Sequence, residues 1–414
     1  MKLIHLKIDK LFGLLDYEIP LDHHEITMLT GPNGYGKTMI LKIINSIITN
    51  ELNIFCKLKF GSVKIDYQGG SVDIAQDAKK DTLILNHLDN HSGKIITEKL
   101  KLEKAEPSME EVFYIRWNGG EAKPKQKTQP DKPLVSKLLS AITSSEDVSF
   151  ICADRLQVKA DDETVIDLCA RKLKDLMESA QDDSAELSQR LDATFPIRLF
   201  DRLEQQKRFS SENIQARLNG IQDKRRHYMR YGLIQGGNDL MPEKSTSLYS
   251  SNEYLGVLDL YIEDALGKLS PFQMLHQKID LFETILHEKI LAFKKVMIDR
   301  ENGFYFESLN GDLIDRNMLS SGEQNQVVLL FNLIFDLVSQ KVILIDEPEI
   351  SLHVAWQQTF LDSLKKIQKI NQYEKVIIAT HSPQVISKNW DLTYDLYEMI
   401  KNKDGKEQSL EGNE

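Results

Sequence analysis

The run Gly31-Pro32-Asn33-Gly34-Tyr35-Gly36-Lys37-Thr38 fits the pattern GxxxxGK[ST], and it stands between a short apolar strand, Glu25 to Thr30, and an apolar stretch without a helix breaker, Met39 to Ile48. A strand, a glycine-rich turn and a helix in that order let successive backbone N–H groups close around phosphate oxygens, and the helix N-terminus adds a favourable dipole. In such a turn Lys37 reaches the β- and γ-phosphates of ATP, and the Thr38 hydroxyl is a ligand for Mg²⁺. Far along the chain, the apolar run Val342-Ile343-Leu344-Ile345 ends in Asp346-Glu347-Pro348. A carboxylate at the end of a buried strand is costly unless it is paired or near a metal, so Asp346 reads as a partner in the Mg²⁺ shell. Glu347, one residue on, is placed to polarise an attacking water as general base.

Three weaker signals accompany these. Leu319-Ser320-Ser321-Gly322-Glu323-Gln324 precedes a helical stretch, so its hydroxyls and glycine backbone sit where an anion site would be, although an ordinary helix cap uses the same residues. Ala379-Thr380-His381-Ser382 ends the next apolar strand, where a histidine serves either a site or the structure. Gln157 follows the short strand Val148 to Ala153, where a surface glutamine and a glutamine of the metal shell are both open readings. Phe12, in Leu11-Phe12-Gly13, either stacks near a base or fills the core.

The elements that must position these residues follow from periodicity. Leu3 to Ile8 alternates as a first strand, and Leu58 to Tyr67, Thr82 to Leu88, Lys94 to Leu102 and Val112 to Trp117 form a series of short alternating runs that predicts a small antiparallel sheet. Gly119 to Pro133 has no period and reads as an exposed loop. From Val165 to Lys295 the pattern is helical, broken by a Gly/Ser/Asn-rich stretch at Gly236 to Asn252, which suggests an arm that goes out and returns. Gln324 to Ser339, Lys341 to Ile345, Ala355 to Ile370 and Lys375 to Ala379 then alternate helix and strand, the mark of a parallel sheet with helices packed on it. The expected fold is therefore α/β: a head with a mixed or parallel sheet made from residues 1–158 and 301–414, carrying an antiparallel lobe in its first half, with residues 159–300 inserted as a helical, short coiled-coil arm. Arg198 to Arg230 is rich in basic residues, among them Arg202, Lys207, Arg208, Arg217, Lys224, Arg225, Arg226 and Arg230. They form a solvated helix face, or else a contact to nucleic acid or to an acidic partner.

Composition narrows the class. The 414 residues are 41% hydrophobic and 28% charged, as in a folded globular protein, and a formal charge of −11 argues against unselective coating of nucleic acid. Cys56, Cys152 and Cys169 lie far apart with no CxxC or Cys/His pattern, which points to neither a disulfide framework nor a zinc site. The start, MKLIHLKIDKLF, lacks the apolar run of a signal peptide, and no stretch reaches the roughly 18 apolar residues of a membrane helix. A cytoplasmic protein without membrane contact is expected.

Taken jointly, the glycine-rich turn, the LSSGEQ run, the strand ending in Asp346-Glu347 and the histidine after the next strand resemble the Walker A, signature, Walker B and His-loop motifs of the ABC ATPase superfamily, in the same order. That resemblance implies ATP with Mg²⁺ in a composite site of a homodimer or higher homo-oligomer. One protomer would supply Lys37, Thr38, Asp346, Glu347 and His381. Ser320, Ser321 and Gly322, with Glu323 in the same run, would close over the γ-phosphate from the other. The variant Asp346-Glu347-Pro348-Glu349-Ile350-Ser351-Leu352-His353 is similar to the heads of SMC, RecF and OLD relatives, whereas membrane transporters carry an aspartate where Leu352-His353 stands. Leu191-Asp192-Ala193-Thr194-Phe195-Pro196-Ile197-Arg198-Leu199, together with Leu11-Phe12-Gly13 and the phosphate turn, resembles the ATPase subunits of bacterial anti-phage systems, those of PARIS first and of Septu and retrons next. This implies a sensor or regulator that responds to a phage trigger protein and controls a separately encoded effector nuclease. Two other readings stand beside it: a RecF/SMC-like DNA-repair clamp, and an OLD-type nuclease. The latter carries a metal-binding TOPRIM domain after the His-loop, where Ser382 to Glu414 leave too little room.

Overall fold

The chain begins with β1 (Leu3–Leu11), in which apolar residues alternate and bury Leu6, Ile8 and Leu11, and turns at Phe12-Gly13 into β2 (Leu15–Pro20). The structure, a computed structural model, describes residues 2–77, 81–102, 133–144, 147–153, 155–156, 163–204, 210–235, 252–289, 291, 293–336, 342–350 and 352–401. β3 (Ile26–Thr30), β4 (Ser62–Tyr67), β5 (Gly70–Gln76), β6 (Thr82–Asp89), β7 (Ile95–Lys101) and β8 (Val148–Ile151) follow, then β9 (Lys294–Asp299), β10 (Gly303–Ser308) and β11 (Leu313–Ile314), and finally β12 (Val342–Asp346), β13 (Lys375–Ala379) and β14 (Thr393–Asp395). The chain divides into two compact units, Met1–Asp154 with Leu337–Glu414, and Arg155–Asp336.

The first unit holds two sheets. One is parallel throughout, in the order β14-β3-β13-β12-β8, and its central strands β3, β12 and β13 are buried at every residue, as strands covered on both faces must be. The segments before and after the helical insertion thus share one sheet, as periodicity suggested. The other sheet is antiparallel, in the order β2-β1-β4-β5-β6-β7. The short strands after residue 58 form the antiparallel lobe that was expected. They extend the β1–β2 hairpin, because the free edge of β1 pairs with β4, Leu6 opposite Ile65 and Ile8 opposite Val63. Val112 to Trp117 and nearly all of the loop expected at Gly119 to Pro133 lie outside the described residues. The helix Lys37–Thr49 buries Ile40, Leu41, Ile43, Ile44, Ile47 and Ile48 in a core shared with Leu6 and Ile8 of the antiparallel sheet and Leu344 and Ile377 of the parallel one. This core fixes where that helix starts.

The second unit consists of long helices, Val165–Glu204, Ser211–Arg230 and Asn252–Lys289, with the helix Ser321–Phe335 and the sheet β11-β10-β9. Ile214, Leu218 and Ile221, at helical spacing, pack on Leu255 and Ile262. The boundary expected at residue 300 falls inside this unit. Arg316 donates to Asp167 at 2.8 Å and to the Phe304 carbonyl at 2.7 Å, which ties the segment after β10 to the first long helix.

Several basic residues of the arm pair with acids on its other helices. Asp259, only 3% exposed, pairs with both Arg202 and Arg217, Arg202 also reaches Glu263, Arg198 holds Asp264, and Arg230 meets Glu283 at 2.7 Å. The first of these pairs is what lets a charged aspartate sit in a helix interface at all. Arg198, Arg202 and Arg217 are thus turned toward acids of the arm itself, whereas Arg230 stays 60% exposed. Lys207 and Arg208 lie outside the described residues.

Gly303 opens β10 at φ +69°, and a Cβ there would stand 1.9 Å from the Ala170 carbonyl oxygen. Both left-handed backbone strain and overlap oppose any side chain. Gly303→Ala is expected to destabilise the protein by roughly 3 kcal/mol. Chemical denaturation followed by tryptophan fluorescence checks it, and an unchanged midpoint would refute the packing described.

Candidate phosphate-binding site

The glycine-rich turn sits between the buried strand β3 and the helix Lys37–Thr49. Gly36 is the residue before that helix, at φ +83°, and a Cβ on it would come within 2.8 Å of Leu11 Cδ2 and 3.3 Å of Phe12 Cε2. The position thus needs glycine twice, for its backbone and for the hairpin tip packed on it. Glycine brings no capping side chain, so the first N–H groups of the helix are left for an external anion. The Tyr35 carbonyl accepts the Tyr17 hydroxyl at 2.7 Å, and its ring meets Tyr397 edge-on at 5.6 Å, which braces the turn from outside. Burial raises the Tyr17 phenol above its ordinary range, so it stays a donor in that bond. Lys37 is buried, and its Nζ donates to the carbonyls of Gly31 at 2.8 Å and Pro32 at 3.2 Å. The ammonium is thereby held over the concave side of the turn. Phe12 is not a core residue: it is 40% exposed, at positive φ, beside Gly36.

The Thr38 hydroxyl donates to Asp346 Oδ1 at 2.9 Å, joining the first turn of the helix to the end of β12. Parallel pairing sets Asp346 opposite Ala379 at the end of β13, so the segments that leave the two strands run side by side. Glu347 takes up φ +43°, which a non-glycine residue adopts only under constraint, and its N–H is anchored on the Ala379 carbonyl at 2.8 Å. His381 Nδ1 then lies 3.9 Å from Glu347 Oε1. The structure so brings together Lys37, Thr38, Asp346, Glu347 and His381 within one compact unit.

Glu349, to which the sequence reading gave no role, belongs to the same cluster. It is buried; its Oε1 accepts the Thr380 hydroxyl and the His381 N–H, each at 2.8 Å, and stands 3.2 Å from His381 Nδ1. The available signal was a third acid close behind two others. Leu352 is buried, and His353 accepts the Ala355 N–H through Nδ1 as cap of the short helix Val354–Gln357, so both residues at the variant position are held structurally.

Ser320, Ser321, Gly322 and Glu323 lie in the second unit, at the start of the helix Ser321–Phe335. Ser320 and Glu323 form a reciprocal cap: Glu323 Oε2 accepts the Ser320 N–H at 2.9 Å, and Ser320 Oγ accepts the Glu323 N–H at 3.3 Å. Burial raises the Glu323 carboxyl, but its bonds to Lys294 and Ser320 outweigh that and hold it below the usual carboxylate range. Ser321 and Gly322 leave their N–H groups on the open first turn, a second anion-binding geometry. Gln157 lies outside the described residues.

Among the described residues no helix is long and apolar enough to cross a membrane. Comparison with known proteins matches residues 1–386 to the family described as AAA ATPase domain (AAA_15). No curated protein matches the chain. Among solved structures, the SMC head domain from Thermotoga maritima aligns over 93% of this chain and 91% of that one, with 11% identity and a TM-score of 0.33.

Proposed function

The chain belongs to the AAA ATPase domain family, and on that premise we propose that it binds and hydrolyses ATP with Mg²⁺ as a homodimer, in the cytoplasm, as the regulatory subunit of an anti-phage defence system. The observation that carries the enzymatic part is the 2.9 Å contact between Thr38 and Asp346, which links the phosphate turn to the strand end that bears Glu347. A hydroxyl and a carboxylate at that distance are the hard oxygen donors that Mg²⁺ prefers, so these residues fit the ion. Bound there, Mg²⁺ supplies charge neutralisation on the β- and γ-phosphates. Lys37 donates to the same phosphates, exchanging its carbonyl partners for oxyanions, and the N–H groups from Gly34 to Thr38 close around them. Glu347 orients a water in line with the γ-phosphorus and accepts its proton as ADP leaves, while His381 contacts the transferred group from the other side. Ser320, Ser321 and Gly322 of a second protomer complete the enclosure through the open first turn of their helix.

The regulatory part is supported by the sequence resemblance of Leu191 to Leu199 and the phosphate turn to anti-phage ATPase subunits. The pairing of Arg198, Arg202 and Arg217 with acids of the arm itself weighs against a DNA clamp as the main role. The partner is then a separately encoded nuclease, restrained until a phage protein triggers release. Purified protein should hydrolyse ATP yet leave DNA and RNA intact with Mg²⁺ or Mn²⁺, and co-expression with its genomic neighbour should yield a complex. Cleavage of nucleic acid by the isolated chain, insensitive to changes at the ATP site, would overturn the regulatory reading.

Lys37→Ala is expected to weaken ATP binding at least about a hundredfold, since two charge-assisted bonds of roughly 1.5–3 kcal/mol each disappear. Titration with a fluorescent ATP analogue measures it. Wild-type affinity in this variant would place the nucleotide elsewhere.

A further inference from the structure

Glu349 is buried in the turn after β12, and the hydrolysis scheme leaves it without a task. Its Oε1 holds the Thr380 hydroxyl and the His381 N–H, while its Oε2 is enclosed with no hydrogen-bond partner among the described residues. A loop that needed only an acceptor would be served as well by a neutral amide. A buried carboxylate with one oxygen unsatisfied calls instead for a positive partner, and the group within ion-pair distance is the His381 imidazole, Nδ1 at 3.2 Å from Oε1.

We propose that Glu349 is the positioning residue for His381: it keeps the proton on Nδ1, fixes the ring, and so presents Nε2 to the γ-phosphate end of the nucleotide. An Nδ1 lone pair 3.2 Å from the carboxylate oxygen would be repelled, so Nδ1 carries a hydrogen, and Nε2, as the second N–H of the imidazolium, donates to a phosphate oxygen. The bond to the His381 backbone N–H fixes the main chain at the same residue, so ring and backbone are set by one carboxylate. Nδ1 also lies 3.9 Å from Glu347 Oε1. By taking the Nδ1 hydrogen, Glu349 keeps it off Glu347, the base of the proposed hydrolysis. Without Glu349 that hydrogen would be drawn to the base and occupy it.

The inference rests on ATP hydrolysis at this site, and its test separates the two. Glu349→Gln retains an acceptor for Thr380 and His381 but removes the charge. It is expected to lower kcat roughly 10- to 100-fold with KM changed less than about threefold. Combined with His381→Ala it should cost nothing beyond what His381→Ala costs alone, because its effect passes through the imidazole. Nitrogen-15 spectra of the histidine-labelled full chain, with His381 assigned from the His381→Ala variant, should show the Nδ1-protonated form in the wild type. Losses that multiply in the double variant, or a wild-type His381 protonated at Nε2 alone, would overturn the proposal while ATP hydrolysis stood. The spectrum of the wild type decides the matter even if Glu349→Gln does not fold.

Discussion

Replacing Glu347 with glutamine is expected to lower steady-state ATP hydrolysis by about two to four orders of magnitude while ATP binding changes only a few-fold. The backbone explains the selectivity. Glu347 is held at φ +43° by its N–H bond to the Ala379 carbonyl, a constraint that the isosteric glutamine inherits unchanged. In the proposed site, ground-state phosphate is held elsewhere, by Lys37 and the N–H groups of the glycine-rich turn, so the substitution spares them. What is lost is the carboxylate that accepts a proton from water in the transition state, and an amide cannot take that proton. With hydrolysis blocked and binding intact, ATP should accumulate between protomers, and the variant should elute as a dimer when ATP is present. Phosphate release and size-exclusion chromatography report the two halves of this result. Turnover at the wild-type rate would mean that another group activates the water. In cells, the same variant should fail to protect against phage if the cycle drives release of an effector.

What could be read from the sequence, and what could not, divides by how far apart the interacting residues stand. The glycine-rich turn between a strand and a helix was legible because its signal is local: eight successive residues carry the pattern, and the flanking strand and helix are marked by periodicity. Asp346 and Glu347 were legible because an acid at the end of an all-apolar strand is expensive without a purpose. Glu349 was not, because its meaning lies in Thr380 and His381, which reach it only once β12 and β13 pair in register. The pairing of Arg198, Arg202 and Arg217 was hidden for a related reason. Charge on a helix looks solvated until the facing helix contributes Asp259 and Asp264, and their spacing along the chain gives no hint of that pairing. That the strands after residue 58 join β1 was not legible, because alternation marks a strand without naming its neighbour. Ser320 and Glu323 illustrate a residue pair with two legible readings at once: the helix cap is present in the structure, and the same N–H groups it leaves free are the ones an anion would use.

That double character makes the origin of the second half of the site a measurable question. Ser321→Arg places a bulky cation on the open first turn of its helix, and Lys37→Ala empties the phosphate turn, so each protein alone should hydrolyse ATP at a few per cent of wild type or less. If a site takes its phosphate turn from one chain and its Ser320-Ser321-Gly322 segment from the other, mixing restores function in a predictable amount. Each heterodimer has one site with both halves intact and one with both halves altered. Random exchange makes about half of all dimers mixed, and half of their sites are competent, so activity should return to roughly a quarter of wild type. The yield would fall below that only if the two sites must fire together, in which case ATP binding would still recover at one site per heterodimer. Differently tagged chains, purified by both tags in sequence, double the expected value to about half, since every dimer is then mixed. No gain in either binding or hydrolysis from doubly purified heterodimers would mean that each chain completes its own site, and that the open turn at Ser321 serves its helix alone.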